Sequence, residues 1–458
     1  MMAAMSTPNA ALRTADAAAP LHADAMPDLP GAPHFAYRDG RLMAEEVPLE
    51  AVAEAAGTPV FVYSRQAALD AAAAYRTALA GLPATICYAM KANANGALLR
   101  SLAMAGLGVD VVSAGEMKLA LRAGFAASRI VFSGVGKTAA EIGEALDAGI
   151  AHLNVESEAE LAAVAQVAAQ RATVAHILLR VNPDVAAATH EKIATGHKAT
   201  KFGIAMEHAP ALYARAAADP WLEPIGIAAH IGSQIIDMSP YRAAFGRMAE
   251  LVDSLRGQGL TVRQVDLGGG IGIRYRDEPL PDLAAYGAIV REIFGHRDVE
   301  ILIEPGRSLV GNAGVLLTRV VYVKKSGGKT FVVVDAAMND LIRPTLYDAW
   351  HEIVPVHPAP GAPVVPVDVV GPVCETGDYL ARNREMPEPV AGSLLAVMSA
   401  GAYASVMASS YNARPLAPEV LVDGGRHAVV RRRPTMEEMT ALEVVPDWLA
   451  PGAPQAEE

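Results

Sequence analysis

The chain has 458 residues, 52% of them hydrophobic but only 5% aromatic, and carries a formal charge of −12. That length predicts two folded units whose cores rest mainly on alanine, valine and leucine. The negative balance excludes nucleic acid or an anionic membrane as the main partner, and no apolar run approaches the roughly 20 residues that a bilayer span needs.

Residues 1–34 are rich in alanine, proline and small polar side chains and lack the basic start and apolar run of a secretory signal. They read as a disordered extension, because so little burial cannot offset the entropy of ordering. FAYRDGRLM (35–43) has the pattern of a hairpin, and residues 35–58 are expected to join a β domain further along. From 59 to 310, short apolar runs alternate with Ala/Leu-rich helical stretches, the pattern of buried parallel strands joined by helices. After an initial VFVY there are eight strand cores: TICYAM, GVDVVS, RIVFSG, HLNVES, ILLRVN, IGIAAHIGS, QVDLGGG and EILIEP. Eight βα units in about 250 residues match a closed (β/α)8 barrel rather than an open doubly wound sheet.

Each core is followed by polar or glycine residues: Lys91, Ser113, Ser133, Glu156, Asn182, His230 with Ser233, Gly268–Gly270, then Glu304–Arg307. A barrel gathers these at its C-terminal mouth, where such folds build active sites. From 311 to 447 the helices fall away. GVLLTRVVYVKKSGGKTFVVVDAAM reads as two strands around a glycine turn, and VVPVDVVGPVC, SLLAVMSAG and PEVLVDGGRHAVVRRR add further strands. This stretch predicts a C-terminal, mainly antiparallel β domain, with residues 448–458 as a flexible tail. Cys87 and Cys374 lie far apart, form no disulfide framework and suit a reducing cytoplasm.

The chemistry centres on Lys91 in CYAMKANAN. A lysine at a strand end is ordinarily solvated, but in a barrel mouth desolvation disfavours its ammonium form and leaves a nucleophilic amine able to condense with an aldehyde. Pyridoxal 5′-phosphate requires such a lysine. Gly268–Gly270 can bring backbone N–H groups close to a phosphate, although a triple glycine alone is also an ordinary turn. GGGIGI does not have G-x-G-x-x-G spacing, which argues against a dinucleotide. Glu304 could simply pair with Arg307. Beside a pyridine nitrogen it would instead keep that nitrogen protonated, which suits a reaction that leaves a carbanion. His230 is either a core histidine or a ring set against the cofactor.

These segments together resemble the diaminopimelate decarboxylase family, within the alanine-racemase-like fold of pyridoxal-phosphate enzymes. The resemblance runs from about residue 35 to 445 through YAMKAN, VSAGE, VNPD, TGHKATKFGI, HIGSQ, DLGGGIG, EPGRSLVGNAG, IRPTLYDAWH, GPVCETGD, GAYASVMASSYNARP and EVLVDG. It implies decarboxylation of meso-2,6-diaminopimelate to L-lysine, the last step of lysine biosynthesis, by a cytoplasmic homodimer with shared active sites. It further implies Lys91 as the lysine bonded to the cofactor, His230 against the ring and Glu304 at its nitrogen. Ser233, Gly270, Gly306 and Tyr403 would hold the phosphate. Arg307, Arg343 and Tyr347 would take the substrate's distal carboxylate and Glu375 its distal ammonium. Cys374 of the partner subunit would return a proton to Cα. Thr376 stands where serine is commoner, and the polar stretch Thr189–Lys201 could be a lid or a plain loop.

Three alternatives stay in view. A decarboxylase of ornithine, arginine or a carboxylated polyamine would not need a pair of arginines for a distal carboxylate. An amino-acid racemase of this fold would place a cation, not Glu304, at the ring nitrogen. A non-enzymatic cofactor carrier would lack residues 311–445.

Overall fold

The computed structural model describes residues 29–185 and 201–449. Expectations for residues 1–28, the candidate lid at 189–200 and the tail beyond 449 fall outside them. Eight parallel strands form the first unit: Ala84–Ala89, Gly108–Val111, Ile130–Phe132, His152–Val155, Ala175–Asn182, Leu222–Ala228, Gln264–Asp266 and Glu300–Ile303. Each pairs with the next. The eighth pairs with the first, through Ile301 opposite Ala84, and so closes the barrel. All eight predicted cores are barrel strands.

The intervening helices start where short polar side chains can cap them. Ser113 accepts a hydrogen bond from the Glu116 N–H, Ser157 from Glu160, and Thr138 forms a reciprocal capping box with Glu141. Each cap satisfies a donor that the helix itself leaves unpaired, worth about 1 kcal/mol. Ser113 therefore serves its helix, not the barrel mouth.

The second unit is a sheet in the order Tyr379–Pro387, Val364–Val370, Lys329–Val334, Gly314–Ser326, Val60–Ser64, Glu419–Asp423, Arg426–Arg431. Leu394–Val397 also pairs with Gly314–Ser326, and Ile353–Pro355 adds to it. The pairings are antiparallel except for two, Lys329–Val334 with Val364–Val370 and Val60–Ser64 with Glu419–Asp423.

Val60–Ser64 corrects the expected barrel boundary at residue 59, because this strand lies in the second sheet between Gly314–Ser326 and Glu419–Asp423. Its alternation explains the placement. Phe61 and Tyr63 enter one apolar core with Leu316 and Val397, while Val60 and Val62 enter another with Val315, Met398 and Val420. A strand buried on both faces reads in sequence like a barrel strand.

Phe35–Arg38 and Arg41–Ala44 form the predicted hairpin. Val47–Pro48 extends it into a separate three-stranded sheet. This sheet joins the second unit through packing and through Leu42 N–H donating to Val356 O, not as a strand of the large sheet. Residues 29–34 are also not part of a disordered extension, since Leu29 is buried in that same core and its carbonyl accepts the Ala32 N–H.

Candidate active site

Lys91 sits on a single 3-10 turn, Met90–Ala92, directly after the first barrel strand. The turn is clamped from both units. Tyr88 Oη donates to Asn93 O at 2.9 Å, Asn93 Nδ2 to Gly401 O at 2.9 Å, and Tyr403 N–H to Ala92 O at 2.8 Å. Tyr403 reaches this position with φ +54, a conformation that is costly for a non-glycine residue.

Lys91 Nζ lies 2.7 Å from Oδ2 of Asp110, which is fully buried on the second strand. This corrects the expectation of a neutral amine. Burial is the largest influence and pulls the lysine pKa down, but Asp110, Glu304 and Tyr403 together carry it above the ordinary range. In this state Lys91 is an ammonium paired with a carboxylate.

Four polar residues in or just after barrel strands also meet here. Asn154 Nδ2 is 3.0 Å from Ser133 Oγ, 3.3 Å from Asp266 Oδ2 and 3.5 Å from Glu304 Oε1. Burial, then Asp110 and Asp266, push the Glu304 carboxyl well above its usual range, and burial also raises Asp266. On the sixth strand's loop, His230 Nδ1 accepts the Gly269 N–H at 3.3 Å. Burial, then Arg180 and Lys91, hold its pKa well below normal. The ring is therefore neutral with its proton on Nε2.

Close packing as well as conformation requires the glycine turn after strand seven. Gly270 has φ +106, and a Cβ on Gly269 would stand 2.1 Å from Glu304 O. Gly306 begins the short helix Arg307–Val310.

The upper wall is cationic. Arg307 donates from Nη1 to Tyr275 Oη at 2.6 Å and from Nη2 to Ser233 Oγ at 2.9 Å, and its guanidinium lies 4.8 Å from the Tyr403 ring centre. Arg343 lies 5.2 Å from the Tyr275 ring centre and 5.8 Å from that of Tyr347. Both arginines are buried, yet among the described residues neither pairs with a carboxylate, and Arg307 Nε has no hydrogen-bond partner. Burial, with Arg307 adding to it, lowers the pKa of Arg343. Two buried guanidiniums without a counter-ion form a site that an anion stabilises.

A reactive lysine, a buried carboxyl, a neutral imidazole, a glycine turn and this anion site fit pyridoxal phosphate. The structure brings Lys91, His230, Ser233, Gly270, Glu304, Gly306, Arg307, Arg343, Tyr347 and Tyr403 to one region. Among the described residues, Cys374 and Glu375 share no hydrogen bond or ion pair with these. They occupy an exposed loop, where Cys374 N–H donates to Asn412 Oδ1 at 3.0 Å and Glu375 Oε1 accepts the Gly377 N–H at 3.2 Å. Sequence reading missed Asp110, Asn154, Asp266, Tyr275 and His351. The first three were signalled by polar residues inside otherwise apolar strand cores.

Fold and site define the class as the pyridoxal-dependent decarboxylases, and the model of that family's pyridoxal binding domain matches residues 67–311. A diaminopimelate decarboxylase of Pseudomonas aeruginosa is 51% identical over 409 residues, covering 89% of this chain and 98% of the relative. One from Neisseria meningitidis is 50% identical, covering 88% and 99%. The crystal structure of diaminopimelate decarboxylase from Helicobacter pylori complexed with L-lysine superimposes with a TM-score of 0.84 at 40% identity, covering 86% of this chain and 99% of that one. The chain belongs to the diaminopimelate decarboxylase family.

Proposed function

We propose that this enzyme removes one carboxylate of meso-2,6-diaminopimelate as CO2 and yields L-lysine, the final step of lysine biosynthesis. Arg307 and Arg343, buried together with no carboxylate partner among the described residues, carry this reading: a substrate with a second, non-reacting carboxylate supplies the missing charge. Ornithine, arginine and their polyamine relatives have no such group. A racemase is disfavoured because Glu304, not a cation, would face the cofactor nitrogen.

Pyridoxal phosphate, when bound, supplies the electron sink for the pair left behind as CO2 departs. Lys91 would hold it covalently, and its ammonium must first lose a proton, for which Asp110 at 2.7 Å is the nearest acceptor. Gly270 and Gly306 would offer backbone N–H groups to the phosphate, with Ser233 and Tyr403 adding hydroxyls. The neutral His230 ring presents a flat, uncharged face to the cofactor. Arg343, with Arg307 and Tyr347, would grip the distal carboxylate in a planar, bidentate manner.

The enzyme works as a cytoplasmic homodimer in this reading. Glu375 of the partner subunit takes the distal ammonium, and Cys374 of the partner subunit protonates Cα. Support comes from the exposure of both residues, which leaves them open to a second subunit. The test is product analysis on meso-diaminopimelate, ornithine and alanine. Lysine and CO2 from the first alone are expected, whereas faster CO2 release from ornithine would defeat the assignment.

A further inference from the structure

We propose that Asp266 is a positioning residue that shares a single proton with Glu304 and keeps ready the proton that a basic ring nitrogen takes up.

Asp266 ends the seventh barrel strand and is 1% exposed. Its Oδ1 accepts the Gly268 N–H at 2.9 Å, and its carbonyl accepts the Ala229 N–H at 2.9 Å, so it is fixed to the glycine turn and to the residue preceding His230. Its other oxygen, Oδ2, and Glu304 Oε1 converge on the same amide nitrogen, Asn154 Nδ2, at 3.3 and 3.5 Å. Two ionised carboxylates are both acceptors and repel, so a buried pair gathered on one amide nitrogen is stabilised by a proton that the two acids share.

Charge counting leads to the same conclusion. Asp110, Asp266 and Glu304 are all buried. The ammonium beside them, Lys91, is committed to Asp110. The Cys87 thiol, against the same cluster, is pushed up by burial and then by Asp266, Glu304 and Asp110, and so brings no compensating charge of its own. Asn154 donates to both carboxyls and orients them, but it is neutral. One proton is thus held by a pair of acids that cannot both ionise.

The proposal rests on the reading that Glu304 faces the ring nitrogen. The step balances: the Glu304 O–H bond breaks, an N–H bond forms, and the electron pair stays on the Glu304 carboxylate. Asp266, anchored by the Gly268 N–H, then keeps Glu304 in place through Asn154.

Infrared spectroscopy of the full-length, cofactor-free protein at neutral pH tests the pair directly. A protonated-carboxyl C=O band that shifts in D2O is expected in the parent protein and is lost in both Asp266→Asn and Glu304→Gln, with circular dichroism verifying the fold of each. Should Asp266→Asn fail to fold, Glu304→Gln carries the same test. Persistence of the band in either folded variant, or its absence from the parent, overturns the proposal. Loading the parent with pyridoxal phosphate is expected to abolish the band, and its survival overturns the proton-donor role. A protein that shows the band but takes up no pyridoxal phosphate upholds the pair and defeats the reading of the site.

Discussion

Arg343 Nε donates to His351 Nε2 at 3.2 Å, and His351 Nδ1 is in turn 2.9 Å from the Met398 carbonyl. The carbonyl fixes the imidazole as the Nδ1–H tautomer, which leaves Nε2 as an acceptor for the guanidinium. A fully buried histidine thereby fixes the direction of the arginine while Tyr275 and Tyr347 flank it.

His351→Ala should therefore raise KM for diaminopimelate about tenfold with a smaller change in kcat. A hydrogen bond to a charged group is worth about 1.5 kcal/mol or more, and losing it frees Arg343 to rotate. Arg343→Ala should raise KM further, by about 10- to 100-fold. Steady-state kinetics of both variants decide the matter, and an unchanged KM in Arg343→Ala removes the clamp.

The same histidine predicts a pH effect. Burial, then Arg343, depress its pKa to about 3, below the unfolded value near 6.5. Between those values the unfolded chain binds more protons than the folded one, so stability falls as pH drops from about 6.5 toward 3. The limiting slope is about 1.4 kcal/mol per pH unit for one such group. Denaturant melts at pH 7 and pH 5 should show a smaller loss for His351→Asn than for the parent, and equal losses would contradict a neutral buried ring.

If Cys374 serves the partner's site, two inactive variants should complement each other. Lys91→Ala and Cys374→Ala, denatured and refolded together, form mixed dimers with one intact site. Random mixing returns about a quarter of parental activity, because half the dimers are mixed and each has one good site of two. Activity no higher than the sum of the separate variants would show that each site is built within a single chain.

Gly269→Ala should destabilise the protein by about 3 kcal/mol, the top of the overpacking range, since the added carbon would lie 2.1 Å from the Glu304 carbonyl. Gly136→Ala meets nothing within 4 Å and should stay within about 0.5 kcal/mol of the parent. Thermal melts of the two distinguish a packing requirement from a general intolerance of alanine.

Strand existence was legible because eight apolar runs, each closed by something polar, admit few folds other than a barrel. The polar ends were harder to interpret. Ser113 caps a helix, and Glu156 is occupied by Arg180 Nη1 at 2.8 Å and by the Gly134 N–H at 3.0 Å, so neither has a side chain free for a ligand. Conversely, Asp110 and Asp266 lie within strand cores, where a reading that looked after each core passed over them. The protonation of Lys91 was not legible at all, because it depends on which neighbouring strand places a carboxylate beside it. Val60–Ser64 was misplaced because burial on both faces hides the alternation that would have marked its sheet.

That strand also ties synthesis order to assembly. Val60–Ser64 emerges from the ribosome before any barrel strand, but its sheet neighbours, Gly314–Ser326 and Glu419–Asp423, are made only after the barrel is complete. Its apolar side chains must wait, shielded or chaperoned, through some 250 residues of translation. A gene fragment ending near residue 310 would therefore expose Val60, Phe61 and Val62 to water and yield an aggregating product rather than an autonomous barrel.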